Sequence, residues 1–190
     1  RFVAFASFDN ELVPGDTNVC DGEGTCMDVF VHDRELGALE RVSVGPSGVQ
    51  ANGHSRWPVI SDDGRYVAFA SSATNLIGAG EDTNDLEDVF VHDRCLANGI
   101  EVGDCVRTTE RVSVTNDEEE ASGGTEGLVR LDMSADGQFV AFDFASTNLP
   151  FGYNFGYPVA VYVRDRVAGT TEQVSFGELA FAPAISSDGR

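Results

Sequence analysis

Two polar loops of this sequence carry side chains suited to holding a hard cation. Pro14-Gly15-Asp16-Thr17-Asn18 is followed by Asp28, and Gly80-Glu81-Asp82-Thr83-Asn84-Asp85-Leu86-Glu87-Asp88 repeats the run in longer form. Asp and Asn at alternate positions, with a further Asp heading the next apolar run, offer oxygens to an ion that takes about 6–8 of them, which fits calcium better than magnesium. The expected ligands are Asp16, Asn18 and Asp28, with Asp21 nearby, and Asp82, Asn84, the Leu86 carbonyl and Asp88. The same residues also suit an Asx turn in which they accept from backbone N–H groups, and both readings stand. A third copy of the loop, from Asn148 to Gly156, lacks the pattern, and Ala160 stands where the others have Asp28 and Asp88.

Other reactive residues select no catalytic set. His32-Asp33 and His92-Asp93 are strand neighbours, whose side chains point to opposite faces. The third copy replaces the His by Arg164 and keeps Asp165, which makes the Asp the structural member and the His an interblade or surface residue. His54 is read as a loop residue. No serine lies in a nucleophile elbow, and no carboxylate pair is singled out for glycoside chemistry. The run Asp117-Glu118-Glu119-Glu120 reads as a solvated loop. An enzyme is therefore the weaker expectation.

The four cysteines fall in two local pairs, Cys20 with Cys26 and Cys95 with Cys105, each able to close a small loop. Neither spacing matches a zinc-ligand turn. Two local disulfides point to an oxidising setting, extracellular or at the cell surface, with the periplasm also compatible. The chain of 190 residues has 32 acidic and 12 basic residues, every basic one an arginine, for a net charge of −20. That excludes chemistry needing lysine and argues against a nucleic-acid partner, which requires clustered positive charge. No window has the roughly 18 or more apolar residues of a membrane span.

These residues must be positioned by β-structure, because the chain repeats itself in short apolar runs. Phe2-Val3-Ala4-Phe5 returns at Tyr66–Phe69 and at Phe139–Phe142. DVFVHDR at 28–34 returns at 88–94, and as AVYVRDR at 160–166. ERVSV at 40–44 returns at 110–114, and as EQVSF at 172–176; each unit closes on a Ser-x-Asp-Gly turn at Gly64, Gly137 and Gly189. The units are 1–64, 65–137 with an inserted Cys95–Cys105 loop, and 138–190. Each reads as four antiparallel strands separated by turn residues, with no helical period.

The S-x-D-G-R-x-V-A-F, D-V-F-V-x-D-R and R-V-S-V blocks resemble the TolB-like, PD-type β-propeller repeat across nearly the whole chain. The resemblance implies an all-β fold of propeller blades, with the strand before each S-x-D-G turn innermost, so that blades are offset from the repeats as written. It says little about function, since such propellers serve as binding platforms, adaptors and enzyme accessory domains.

Closed propellers have about 4–8 blades, whereas three units are present. Arg190 falls at the phase of Arg1, Arg65 and Gln138, leaving Ala184-Ile185-Ser186 as a strand without a following partner and Phe2-Val3-Ala4-Phe5 without a preceding one. Three arrangements are open: adjoining blades in a longer chain, head-to-tail self-association of copies by strand complementation into a ring or filament, or a lone three-blade monomer with unpaired edges. The expected role is an extracellular structural or interaction module. The alternatives are a propeller segment of a secreted enzyme or a carbohydrate- or peptide-binding platform. The aromatic stretch Phe144, Phe151, Tyr153, Phe155 and Tyr157 is a candidate packed loop or partner surface.

Overall fold

The computed structural model describes residues 1–20, 24–124, 130–150, 159–175 and 180–189. Asp21, Phe151, Tyr153, Phe155, Tyr157 and Arg190 lie outside them. The strands, in chain order, are β1 (Phe2–Ser7), β2 (Val19–Cys20), β3 (Gly24–Thr25), β4 (Asp28–Asp33), β5 (Ala38–Arg41), β6 (Ser55–Ile60), β7 (Tyr66–Ser71), β8 (Asp88–Asp93), β9 (Leu96–Ala97), β10 (Ile100–Glu101), β11 (Thr108–Arg111), β12 (Leu131–Met133), β13 (Phe139–Phe144), β14 (Ala160–Asp165) and β15 (Thr170–Gln173).

Runs of Val, Phe and Ala that recur in sequence also recur in register. Phe2 opposes Asp33 and Ser7 opposes Asp28 in β1–β4, as Tyr66 opposes Asp93 and Ser71 opposes Asp88 in β7–β8. Phe139 opposes Asp165 and Phe144 opposes Ala160 in β13–β14. The sheets are antiparallel blades, β6-β7-β8-β11 and β12-β13-β14-β15, with a three-stranded first blade of β1-β4-β5. The strands before the Gly64 and Gly137 turns, β6 and β12, thus begin blades. Ala184, Ile185 and Ser186, expected as such a strand, belong to no strand. They still end in the same turn, with the Gly189 N–H donating to the Ser186 carbonyl at 2.9 Å.

Cys20 and Cys26 are bonded across the β2–β3 hairpin, and the Cys95–Cys105 bond brackets β9 and β10. The middle blade packs between the other two. One core joins Val29, Val31 and Val42 of the first blade to Val67, Phe69 and Phe90 of the second. The other joins Ala68, Ala70, Val89, Val91 and Val112 of the second to Val140, Phe142, Phe144 and Tyr162 of the third. Strands buried on both faces in this way lose the simple apolar–polar alternation.

The turns join the blades as well. The Asp62 N–H donates to the Ala135 carbonyl and the Ala135 N–H to the Ser187 carbonyl, both at 2.9 Å, so that equivalent turn residues form a chain of backbone bonds. The turn glycine is required twice over. At Gly137 φ is +72°, and a Cβ would come within 2.4 Å of the Tyr66 ring of the preceding blade. Gly64 meets Phe2 and Gly189 meets Phe139 in the same way.

Candidate functional site

The two acidic loops fold around arginines. In the first, Arg41, from the ERVSV run, places Nη1 2.8 Å from Asp16 Oδ1 and 4.0 Å from Asp28 Oδ2. Asn18 donates through Nδ2 to Asp28 Oδ2 and to the Ala51 carbonyl, both at 2.9 Å, and Ser43 donates to Asp28 Oδ1 at 2.5 Å. Gln50 Oε1 accepts from the Thr17 and Asn18 N–H groups.

The second loop repeats this node with one more charge. Arg111 lies 3.3 Å from Asp88 Oδ2 and 2.5 Å from Glu120 Oε1, and donates to the Glu81 carbonyl. Ser113 donates to Asp88 Oδ1 at 2.6 Å. Asp82, Asp88 and Glu120 bring carboxylate oxygens within 4.8 Å of one another. Asp88 Oδ2 and Glu120 Oε1 are buried without a hydrogen bond, as are Asp16 Oδ1 and Asn18 Oδ1 in the first node. Burial pushes the Asp88 carboxyl up to about 7, opposed by Arg111 and Ser113 and reinforced by Glu120 and Asp82; Asp28 is also raised, by burial first.

Of the expected ligands, Asp82 and Asp88 meet directly, and Asp16, Asn18 and Asp28 share one node. Around Asn84 and Leu86 the loop carries turn bonds: Asp82 Oδ1 accepts from the Asn84 and Asp85 N–H groups, and Asn84 Oδ1 accepts from the Leu86 N–H at 2.7 Å. Arg41, Arg111 and Glu120 were not among the expected site residues. Glu120 leaves the run read as solvated, since besides Arg111 it accepts from the Thr83 N–H, and Glu118 pairs with Arg164. The signal was present in the repeat: the third unit has Gln173 at the phase of Arg41 and Arg111, lost together with the Asp that Ala160 replaces. The adjoining serine persists, with Ser175 accepting from the Val161 N–H as Ser43 and Ser113 do from Val29 and Val89.

A second constellation ties each blade to the one before. Arg94 donates to Glu40 Oε2 of the first blade at 3.0 and 3.1 Å, to the Gly64 carbonyl of its own turn, and lies 5.2 Å from the Phe2 ring centroid. Arg166 repeats the set on Glu110, the Gly137 carbonyl and Tyr66. Arg34 is the first-blade counterpart and is exposed. Val3, Phe5, His32, Arg34 and Leu39 line the outer face there. Of the expected exchange residues, Val3 and Phe5 therefore face outward, whereas Phe2 and Ala4 pack against the second blade, as strand alternation dictates.

The Asp of each Asp-Arg pair is structural. Asp33 accepts from the Glu35 and Leu36 N–H groups and from Arg1, whose guanidinium holds its carboxyl far below the usual range. His92 is buried between blades, Nδ1 2.9 Å from Thr109 Oγ1, and that hydroxyl donates to the Val44 carbonyl of the first blade. Burial, then Arg107, pushes His92 down to about 4. His54 accepts from the Met27 N–H. Among the described residues no helix is long and apolar enough to cross a membrane.

The sheets and their arginine-linked faces define a class of protein, an assembly of antiparallel propeller-type blades. No protein-family model matches the sequence, and neither does any curated protein. Among solved structures the chain is similar to TolB from Acinetobacter baumannii, at 18% identity and a TM-score of 0.47 over 89% of this chain. The match spans 32% of that TolB chain.

Arg111→Gln should lower stability by roughly 3–5 kcal/mol, because it strands buried carboxylates. Adding Asp88→Ala, which grafts the third unit's Gln173/Ala160 pair, should recover most of the loss in urea unfolding; simply additive losses would show that the two are not coupled. His92 favours the neutral form when folded, so its contribution is intact above its unfolded value near 6.5 and declines as pH falls toward about 4. His92→Gln should flatten that part of a melting-point pH profile.

Proposed function

We propose that this chain is an extracellular or periplasmic structural and interaction module whose two open blade faces are completed by a blade of the same repeat, supplied head to tail by a second copy. The observation that carries the reading is a difference in burial between equivalent residues. Val3 is 44% exposed whereas Val67 and Val140 at the same phase are fully buried. At the other end Val174 is 44% exposed, against 0% for Val42 and 1% for Val112. The half-constellations also match: Arg34 lacks a ring, a glutamate and a turn carbonyl, and the far blade presents Phe139, Glu172 and Gly189 at those phases. Two copies joined in this way would supply six blades, within the usual range for closure. The paired cysteines support the oxidising location.

In sedimentation the chain should run above its 20.3 kDa monomer mass and shift with concentration. Arg34→Glu and Glu172→Arg should each weaken association, and the double variant should restore it. A monomer at all concentrations, from protein with a native circular dichroism spectrum, rules the second copy out.

The reading includes calcium at the second node, where three carboxylates face one guanidinium and Asp88 Oδ2 is buried without a donor. The first node has Gln50 at the phase of Glu120 and balances Arg41 against two carboxylates. Calcium should raise the melting midpoint relative to EGTA, and Asp82→Asn should abolish the difference; equal midpoints for the unmodified chain count against the ion.

A further inference from the structure

The repeats are closely similar in their later strands, and they diverge along the innermost segments that lead to the turn serines. Four residues before the turn serines Ser61, Ser134 and Ser186 stand Trp57, Arg130 and Ala182. These three, with the residues that follow them, line a groove of about 510 Å³ that includes Pro58, Leu131 and Pro183. The volume lies within the range of small-molecule sites.

The indole is displayed at a conformational cost. Trp57 is 51% exposed and has φ +56°, in the left-handed region that bulky residues avoid, beside a register shift in the β6–β7 ladder between Arg56 and Val59. Ala182 repeats the conformation at φ +58°. Strain of this kind persists where surrounding structure fixes it, and bulges commonly re-aim a side chain. At Ala182 a buried carboxylate fixes it. Asp143, buried where the other blades have Ala6 and Ala70, accepts from the Arg130 N–H at 2.8 Å and from the Ala182 N–H at 3.1 Å.

The charge in the groove is also distinctive. Among the described residues Arg34 and Arg130 are the arginines without an ion pair, and Arg34 belongs to the open blade face. In a chain with 32 acidic residues, an exposed guanidinium without a carboxylate partner is a place for an anion from elsewhere. An incoming peptide strand is poorly served here. Pro58 and Pro183 have no N–H to give a ladder, and the N–H groups of Arg130 and Ala182 are already bonded to Asp143. What the groove offers is an aromatic face, proline rings and one cation.

We propose that this groove binds an acidic oligosaccharide, with the C–H face of a hexuronate ring stacked on Trp57 and its carboxylate paired with Arg130. The electron-rich face of the indole complements the partly positive C–H groups of a pyranose. The planar guanidinium fits a carboxylate in a two-point contact. The net charge of −20 repels an acidic ligand at long range, but at physiological salt that repulsion is screened within about 8 Å, so contact at Arg130 decides the preference.

Trp57 is the single tryptophan of the chain, so its emission reports on the groove alone. Oligogalacturonate, titrated in EDTA to exclude ion bridging, should change that emission saturably, with a neutral oligoglucan at least tenfold weaker. Arg130→Gln should reduce the acidic sugar to the neutral level. By calorimetry Trp57→Ala should lose both, whereas Arg107→Gln, outside the groove, should leave binding unchanged. Native circular dichroism of each variant separates lost binding from lost folding, and because the readout is independent of association, it stands whether or not the copies pair. No saturation by oligogalacturonate, unchanged affinity in Arg130→Gln, or equal affinity for oligoglutamate would each overturn the proposal.

Discussion

A propeller sheet is apolar on both faces and is sealed only by the sheets beside it, so each blade of this chain depends on its neighbours for its stability. The seal is centred on the arginine that ends the third strand. Arg94 at once stacks on the Phe2 ring, donates to Glu40 across the gap and holds the carbonyl of its own blade's Gly64 turn. Between the same two blades pack Val29, Val31, Val42, Val67 and Phe69. Each fully buried apolar side chain contributes about 1.5–3 kcal/mol, which makes the interblade face the dominant source of stability. The arginine fixes which surfaces meet and in what register.

The same requirement accounts for an oddity of composition. Every cation in the chain is arginine, and the sites where arginines act need a planar fork. Arg65 spans both oxygens of Asp93, and Arg1 does the same on Asp33. An ammonium group can make one such contact but cannot also lie flat on a ring and reach a carbonyl. Part of the negative excess is likewise local: Asp82 and Glu120 crowd against Asp88, whose carboxyl is pushed up to about 7 by burial first and by these neighbours after it. Among the described residues, nodes of this kind belong to the blades that keep the Asp and Arg together. The third blade solves the same packing problem with Ala160 and Gln173, and Gln173 Nε2 donates to the Ser175 carbonyl.

The sheets were legible because their signal is local. Strand runs such as DVFVHD and the Ser-x-Asp-Gly turns state their structure within a few residues, and the disulfides close loops of their own. The site was less legible because its members come from separate strands. In the third unit the loop Asp and the strand Asp are lost together. The structure adds a third member to that loss, the arginine at 41 and 111, hidden in a run that looked like ordinary strand. Glu120 was hidden for a related reason: an acidic run looks solvated until the loop carrying it is seen to lie against Arg111. Phe2 to Phe5 form one run in the sequence, although the pleat sends alternate members to opposite faces of the sheet.

Repetition separates two kinds of constraint in this chain. A residue found at the same phase in successive units, such as the Asp-Arg pair or the turn glycine, is explained by the blade and its neighbour. A residue that breaks the repeat is released from that constraint and can serve a local purpose. Trp57, Arg130 and Asp143 are of the second kind, and they converge: Asp143 replaces an alanine in order to anchor the segments that carry Arg130 and Ala182, which flank the strained, exposed indole. A half-exposed tryptophan at positive φ leaves about half of its apolar surface in water on a strained backbone. On the proposed reading, the interaction that offsets these costs comes from the sugar ring that the groove receives.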